Sequence, residues 1–340
     1  MKEINHNKSA PFTYFGRKSL IAPRVWSLFG DVKTYVEPFA GSLAVLLHRP
    51  SGFKGSETVN DYSCHVVNAW RTIQSNPKGL AELCVAPASE VNTEAQHYAL
   101  VRDEMSLRDK LGDPHYYDTE KAAWWMKGQN EYIGCGWSSG HGPWKWSRED
   151  GWIKRTGGKG VNRQLPHLGA GKGVNRQLPH LGDEGKGVNR QLLHLGDEGT
   201  GERAKRIAWL MDWFSALSDR LCRVRITCGD WKRLANSKSA TTKHGVTALF
   251  LDPPYGGTEY VYGDKTPVSQ SVNEWCAAID DQKLRVVLCG RGSEHDNLID
   301  AGWQKEEWKT RKGYGSNNEE ALWHNCPAQG LFSTMLTKEG

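Results

Sequence analysis

The 340-residue chain contains no run of about 18 consecutive apolar residues, so a membrane-spanning helix is not expected. Its first residues, MKEINHNKSAPF, lack the apolar stretch of a secretory signal. No CxxC pair occurs, and the eight cysteines, at 64, 84, 135, 222, 228, 276, 289 and 326, are scattered. That spacing argues against both a zinc module and a disulfide framework, and a reducing cytoplasm fits it best. Neither sign of charge dominates. The 44 Lys and Arg against 39 Asp and Glu leave +5, which permits a nucleic-acid partner without establishing one. What the chain does have in quantity is glycine, 37 residues, and tryptophan, 15.

Part of the glycine lies in a repeated unit. GKGVNRQL-x-HLG begins at Gly158, Gly171 and Gly185, and the repetitive segment runs from 158 to 199. A unit this short, with few apolar side chains, makes a poor solenoid element, and three copies cannot support a chain of this length. The repeats are therefore an insertion in a larger fold. Around them, between Lys145 and Arg206, 13 Lys and Arg face 7 Asp and Glu, a local surplus larger than that of the whole chain.

Short apolar runs bounded by Gly, Pro and Asp form two separated blocks: TYVEPF (34–39) and ETVND (57–61), then RVRITCGD (223–230), TALFLDPPY (247–255), RVVLCG (285–290) and a late EEALWHNC (319–326). Runs of this kind predict the strands of an α/β sheet covered on both faces. In ERAKRIAWLMDWFSALSDRL, Ile207, Leu210, Met211, Phe214, Leu217 and Leu221 recur at three- and four-residue spacing and predict a helix with one apolar stripe. The stretch from about 76 to 204 is rich in Gly, Trp, His and basic residues, with weak periodicity. This pattern predicts a sheet interrupted by an inserted domain: residues 1–75 and 205–340 form one unit, and 76–204 the insertion.

The stretch with the most chemical content is LFLDPPYGG (249–257). A strand delivers Asp252, Pro253, Pro254 and Tyr255 to its carboxyl end, where open α/β sheets bind ligands. The two prolines stiffen the chain and fix where its carbonyls point. An acidic acceptor, a backbone carbonyl and an aromatic face held together suit an exocyclic amine on a planar base. Alone, the same four residues are also compatible with a structural turn.

D-P-P-Y is the signature of amino-group DNA methyltransferases, and the motif order resembles the Dam-type (D12 class, alpha group) adenine-N6 methyltransferases. PFTYFGRKSLI (11–21) resembles their opening cofactor motif, matched by Tyr14, Gly16 and Lys18. VEPFAGSLAVLL (36–47) is similar to the E-P-F-x-G-x-G cofactor loop at Glu37, Pro38, Phe39 and Gly41, with Leu43 where the family has its last glycine. Asp61 in VNDYS matches the acid that holds the cofactor ribose, and Asp230 and Trp231 in CGDWKRL match the motif that meets the adenine. NEEALWHNC resembles the closing strand of phage and prophage members.

The resemblance implies a Rossmann-like S-adenosylmethionine-dependent methyltransferase sheet with an inserted target-recognition domain. It also implies methyl transfer to the N6 of adenine in DNA by base flipping, with cytosine-N4 methylation or a catalytically weakened DNA-binding protein as alternatives. The expected partner is double-stranded DNA, with no metal and no membrane; the oligomeric state is open, a monomer being favoured, and the expected location is the cytoplasm, at the nucleoid of a bacterial or phage-infected cell. In the inserted segment, Trp124 and Trp125 read as helical core. Trp137, Trp144, Lys145 and Arg148 read as base-stacking and phosphate contacts. Arg163, Arg176 and Arg190, one per repeat, either form a DNA-contacting tract or lie in a Gly-rich loop expanded by duplication, since loop length costs little.

Overall fold

The computed structural model of the chain describes residues 8–12, 14, 18–85, 90–131, 144–147, 151–154, 202–254, 268–309 and 319–327. All six apolar runs are strands: β1 (Thr34–Glu37), β2 (Ser56–Asp61), β5 (Val224–Cys228), β6 (Thr247–Leu251), β7 (Leu284–Arg291) and β9 (Glu319–His324). Three further strands carry no apolar run: β3 (Trp144–Ser147) and β4 (Gly151–Lys154) form a hairpin, and β8 (Gln304–Lys309) lies at a sheet edge. Seven strands make one sheet in the order β5-β2-β1-β6-β7-β9-β8. Its pairs are parallel from β5 through β7, and β9 runs antiparallel to both of its neighbours.

Alternation along the strands shows why the sheet is covered twice. Tyr35, Ala248, Phe250, Val287 and Cys289 enter one buried cluster, while Val36, Leu249, Leu251, Val286 and Leu288 enter the other. Successive side chains of a strand point to opposite faces, so a run apolar at every position needs cover on both. The first face is covered by α1 (Ala22–Phe29), α2 (Ala44–Leu47), α3 (Cys64–Ser75) and α8 (Glu202–Leu221). The second is covered by α9 (Lys232–Ala235), α10 (Val268–Ala277) and α11 (Asn297–Asp300). On α8, Leu210, Phe214, Leu217 and Leu221 are buried and Ile207 and Met211 pack partly buried against the same cluster, as their spacing predicts.

The first half of the compositionally distinct segment packs against the sheet's own helical layer. It forms α4 (Pro77–Cys84), α5 (Glu90–Arg102), α6 (Glu104–Lys110) and α7 (Thr119–Glu131). Asn76 caps α4 by accepting from the Gly79 amide at 3.1 Å, and Pro77 occupies the first turn, where a missing N–H costs nothing. α7 packs on α3 and α4, and α4 on α8, so Leu100, Leu107, Leu111, Ala122, Trp125 and Met126 join the core cluster of β1 and β2. Trp125 is buried and Trp124 packs against the same cluster, the core role that their helical setting predicts. The buried Arg71 guanidinium donates to the carbonyls of Ile226 on β5 and of Leu111 and Asp113 before α7, tying these helices to the sheet edge. The three repeats, with Arg163, Arg176 and Arg190, lie outside the described residues.

Candidate active site

The order of the strands reverses between β1 and β6, and at such a switch point the loops leaving two adjacent strands diverge and open a crevice beyond their carboxyl ends. The loop after β1 enters it first. Gly41 has φ 45°, a left-handed conformation that a side chain disfavours, and a Cβ there would lie 2.8 Å from two carbons of the Tyr14 ring. Glycine therefore lets Tyr14, from the start of the chain, lie directly on the loop. Tyr14 is brought there by its neighbour Phe12, which is buried against Trp70 and Trp125 with ring centroids 5.1 and 4.9 Å away. The indole of Trp70 also donates to the Gly41 carbonyl at 2.8 Å.

Leu43 retains the backbone that a glycine would adopt. It is the sole non-glycine of positive φ among the described residues, at φ 54° and ψ 28°, immediately before α2. Its side chain is fully buried, so packing holds a conformation that costs an L-residue about 1–2 kcal/mol.

Asp61, at the end of β2, accepts from the Gly41 amide at 2.9 Å and from the Ser63 amide at 2.8 Å. Burial pushes its carboxyl up to about 6, against the opposing pull of those two N–H groups. A carboxylate has about four acceptor positions, so these amides leave capacity for a further donor beside the loop. Asn60 knits the same region by donating to the carbonyls of Pro38 and Gly229 at 3.1 and 2.8 Å, which fixes the ends of β1 and β5 relative to β2. Tyr62, the next residue after Asp61, is 45% exposed, and the Arg108 guanidinium lies 4.3 Å from its ring centroid.

Glu37 is buried and accepts from the Tyr35 hydroxyl at 2.8 Å. Burial raises its carboxyl to about 8, and the neighbouring Asp252 and Asp61 carboxylates act in the same direction. Phe39 is half-buried and packs 6.0 Å from Trp231, which is itself buried edge-on to Trp275. Asp230 is exposed and accepts from the Lys232 amide at 2.7 Å, an Asx turn that leads into the short helix α9. Both residues thus have structural partners at the end of β5.

Asp252 and Pro253 follow β6, with Pro253 buried and Pro254 half-buried. The Lys18 ammonium, itself buried, lies 3.2 Å from the Asp252 carboxylate and 3.6 Å from that of Glu320 on β9. Burial alone would lower the Lys18 pKa, but Asp252, the Cys289 thiol and Glu320 together hold it well above the usual lysine value. Lys18, matched by sequence to a cofactor motif, is placed on the acid of the D-P-P-Y stretch. Glu320 is a residue that the sequence reading passes over. Its signal is a pair of acids opening an otherwise apolar strand, legible only once β9 is known to lie beside β7, where Glu320 pairs with Arg291.

Gly16, Tyr255, Trp137 and Arg148 lie outside the described residues. Trp144 and Lys145 are backbone neighbours on β3, paired in register with Lys154 and Ile153 of β4, and β3 approaches α5. Among the described residues no group of three His, Cys, Asp or Glu side chains is placed to hold a metal ion, and no helix is long and apolar enough to cross a membrane.

Residues 14–126 match a family model described as D12 class N6 adenine-specific DNA methyltransferase. No curated protein matches the chain. The matched residues hold Tyr14, Lys18, the Glu37–Gly41 loop and Asp61, whereas Asp252 lies beyond them. Over this segment the chain is similar to the D12 class of N6 adenine-specific DNA methyltransferases, and its mixed sheet is consistent with a Rossmann-like methyltransferase.

Proposed function

We propose that the chain transfers a methyl group from S-adenosylmethionine to the N6 amino group of adenine in double-stranded DNA. The crevice between the carboxyl ends of β1 and β6 is the reaction centre. The observation that carries this reading is the Lys18–Asp252 ion pair at the end of β6, beside the strand β1 whose Gly41 loop lies against Tyr14, at the switch point of the sheet.

The strand ends fit the methyl donor. Gly41 leaves its loop without a side chain, Asp61 has acceptor positions left for a ribose, and Phe39, Tyr14 and Tyr62 supply flat surfaces. S-adenosylmethionine, when bound, supplies an activated methyl group on a sulfonium centre. Lys18, Glu37, Asp230 and Trp231 support this pocket through their neighbours.

Adenine's amino nitrogen is a weak nucleophile because its lone pair is delocalised into the ring. Hydrogen bonds from that amine to the Asp252 carboxylate and the Pro253 carbonyl favour its pyramidal form and stabilise the positive charge that develops on nitrogen. Lys18 holds Asp252 in place as a charged acceptor. The target base leaves the duplex at a cost of about a few kcal/mol. Stacking on Tyr255, worth roughly 1–3 kcal/mol, offsets much of that.

Since α4 to α7 are packed on the sheet, DNA contact falls to the segment beyond α7: Trp137, Trp144, Lys145 and Arg148, followed by the repeat arginines. Asp252→Ala tests the centre. Transfer of radiolabelled methyl groups to DNA, with nucleoside analysis of the product, should fall by at least a factor of about 10²–10³. S-adenosylmethionine binding by calorimetry should be largely unchanged. Turnover near wild type would sink the assignment, and a labelled cytosine would redirect it to N4 chemistry.

A further inference from the structure

The strands that deliver the candidate site at their carboxyl ends also build a second feature at their amino ends. A cleft of about 700 Å³ opens there, lined by the residues that enter β1, β2 and β5 and by the loop before β6. Its cations are Lys33, Lys54, Arg223 and Arg225, all exposed. Two carboxylates face them. Glu57 is buried and neutralised by Arg49 at 2.9 Å and Arg220 at 2.7 Å, and the exposed Asp31 makes only a 3.8 Å pair with Lys33. An exposed pair of that length is worth little, so the cleft keeps a clear cationic excess.

Arg223 and Arg225 are two apart at the start of an edge strand, between buried Val224 and Ile226, so both project from the same side. They open a run, Arg223–His244, with six Lys and Arg against one Asp. Gly52, Gly55 and Ser239 line the same walls, and the Ser239 hydroxyl shares a 2.9 Å hydrogen bond with that of Ser237. Paired guanidinium forks with small neighbours match the oxygens of phosphate.

We infer that this cleft binds backbone phosphates of a second DNA segment while the opposite end of the sheet engages the target. The inference rests on the reading that the chain acts on DNA. β2 runs from Ser56 in the cleft to Asp61 at the site, and six residues of strand span about 20 Å. A straight duplex lying across the carboxyl ends therefore does not reach the cleft, and the two ends hold separate segments.

A bridging assay on the full chain tests this. Protein at a concentration where sedimentation gives a monomer is mixed with a bead-tethered duplex and a free fluorescent duplex. Wild type captures the free duplex. Arg223→Glu/Arg225→Glu loses that capture while it still binds the tethered duplex and methylates a short duplex at the wild-type rate. Lys33→Glu/Lys54→Glu, from the opposite wall, gives the same loss, and circular dichroism confirms that both variants fold. Wild-type capture falls linearly with salt in log–log plots, as phosphate contacts require.

Capture retained by both folded variants, as a dimer joined through its catalytic ends would give, overturns the inference. So does wild type that never bridges. Tripolyphosphate that binds in a cleft-dependent way without any bridging assigns the cleft to small anions and also overturns it. Wild type that bridges through the cleft but transfers no methyl group to DNA refutes the catalytic reading and leaves the cleft standing.

Discussion

Replacing Lys18 by methionine removes one charge from a buried group of three and leaves the side-chain length nearly intact. The Lys18 ammonium is 4% exposed and sits 3.2 Å from Asp252 and 3.6 Å from Glu320, whose side chains are 18% and 13% exposed. At an effective dielectric of about 20, each attraction is worth about 5 kcal/mol before desolvation is subtracted. Breaking a pair of this kind by removing one partner costs about 3–5 kcal/mol, because the remaining charges stay in a poorly solvated place.

The Lys18 pKa lies above its ordinary value, so its contribution is fully present below the ordinary lysine range and is lost only as pH rises through the folded value. Urea unfolding of wild type and Lys18→Met at pH 8 should therefore show the whole difference. Below about pH 4, where carboxylates take up protons in the unfolded chain as well, the difference should shrink. Activity adds an independent sign. In the variant, Asp252 and Glu320 face each other without a cation, and a proton on either relieves the repulsion. A protonated Asp252 is a weaker, uncharged acceptor for the substrate amine, so methyl transfer by the variant should recover with rising pH while its stability falls. A pH-independent loss below about 1 kcal/mol, with an unshifted rate profile, would refute the reasoning and reduce the pair to a screened surface contact.

Two further outcomes follow from buried residues of the β1 loop. Leu43→Ala keeps a Cβ in the left-handed conformation and empties a fully buried site, costing about 2–5 kcal/mol; Leu43→Gly empties the same site but releases about 1–2 kcal/mol of backbone strain. Chemical denaturation should therefore find Leu43→Gly no less stable than Leu43→Ala, reversing the usual order in which glycine trails alanine by about 0.5–1 kcal/mol. Burial raises the Glu37 carboxyl from its ordinary value of 4.5 to about 8, so the folded chain holds this proton more tightly than the unfolded one. Stability is then greatest at low pH and declines as pH rises from about 4.5 toward 8. Thermal melts of Glu37→Gln should be flatter than wild type above about pH 6, where Asp61, raised only to about 6, has largely finished contributing; equal slopes would show that Glu37 does not carry the effect.

Much of the fold is legible because its central strands are short apolar runs with abrupt ends. TYVEPF stops as a strand at Glu37, directly before a proline that cannot donate to a ladder, and TALFLDPPY stops at Leu251, with Pro253 two residues on. The strand β8, QKEEWK, is polar because it is an edge, paired on one side only, and it shows no apolar run. The β3–β4 hairpin is missed for a different reason. Its tryptophans suit base contact as well as a strand, and residue type alone does not choose between them. The weak periodicity of residues 76–131 conceals helices that are buried from several sides: α7 meets α3, α4 and α5, so its apolar positions do not form one stripe.

At the candidate site, Gly41 and Asp61 were legible as residues at strand ends, and their hydrogen bond joins positions only 20 residues apart. Trp231 and Glu37 were legible as motif residues, but not that one is packed between Phe39 and Trp275 and the other under Tyr35. Sequence by itself determined where the six apolar strands lie and which acids stand at their ends. These are properties of local runs, set by side-chain alternation and by proline and glycine. Tertiary structure alone decided that Lys18 meets Asp252 and Glu320 across most of the chain, that Leu43 holds a glycine's conformation, and that four cations gather at the opposite end of the sheet. Such contacts depend on the order in which strands are laid side by side, and strand order is set by long-range packing that no local pattern encodes.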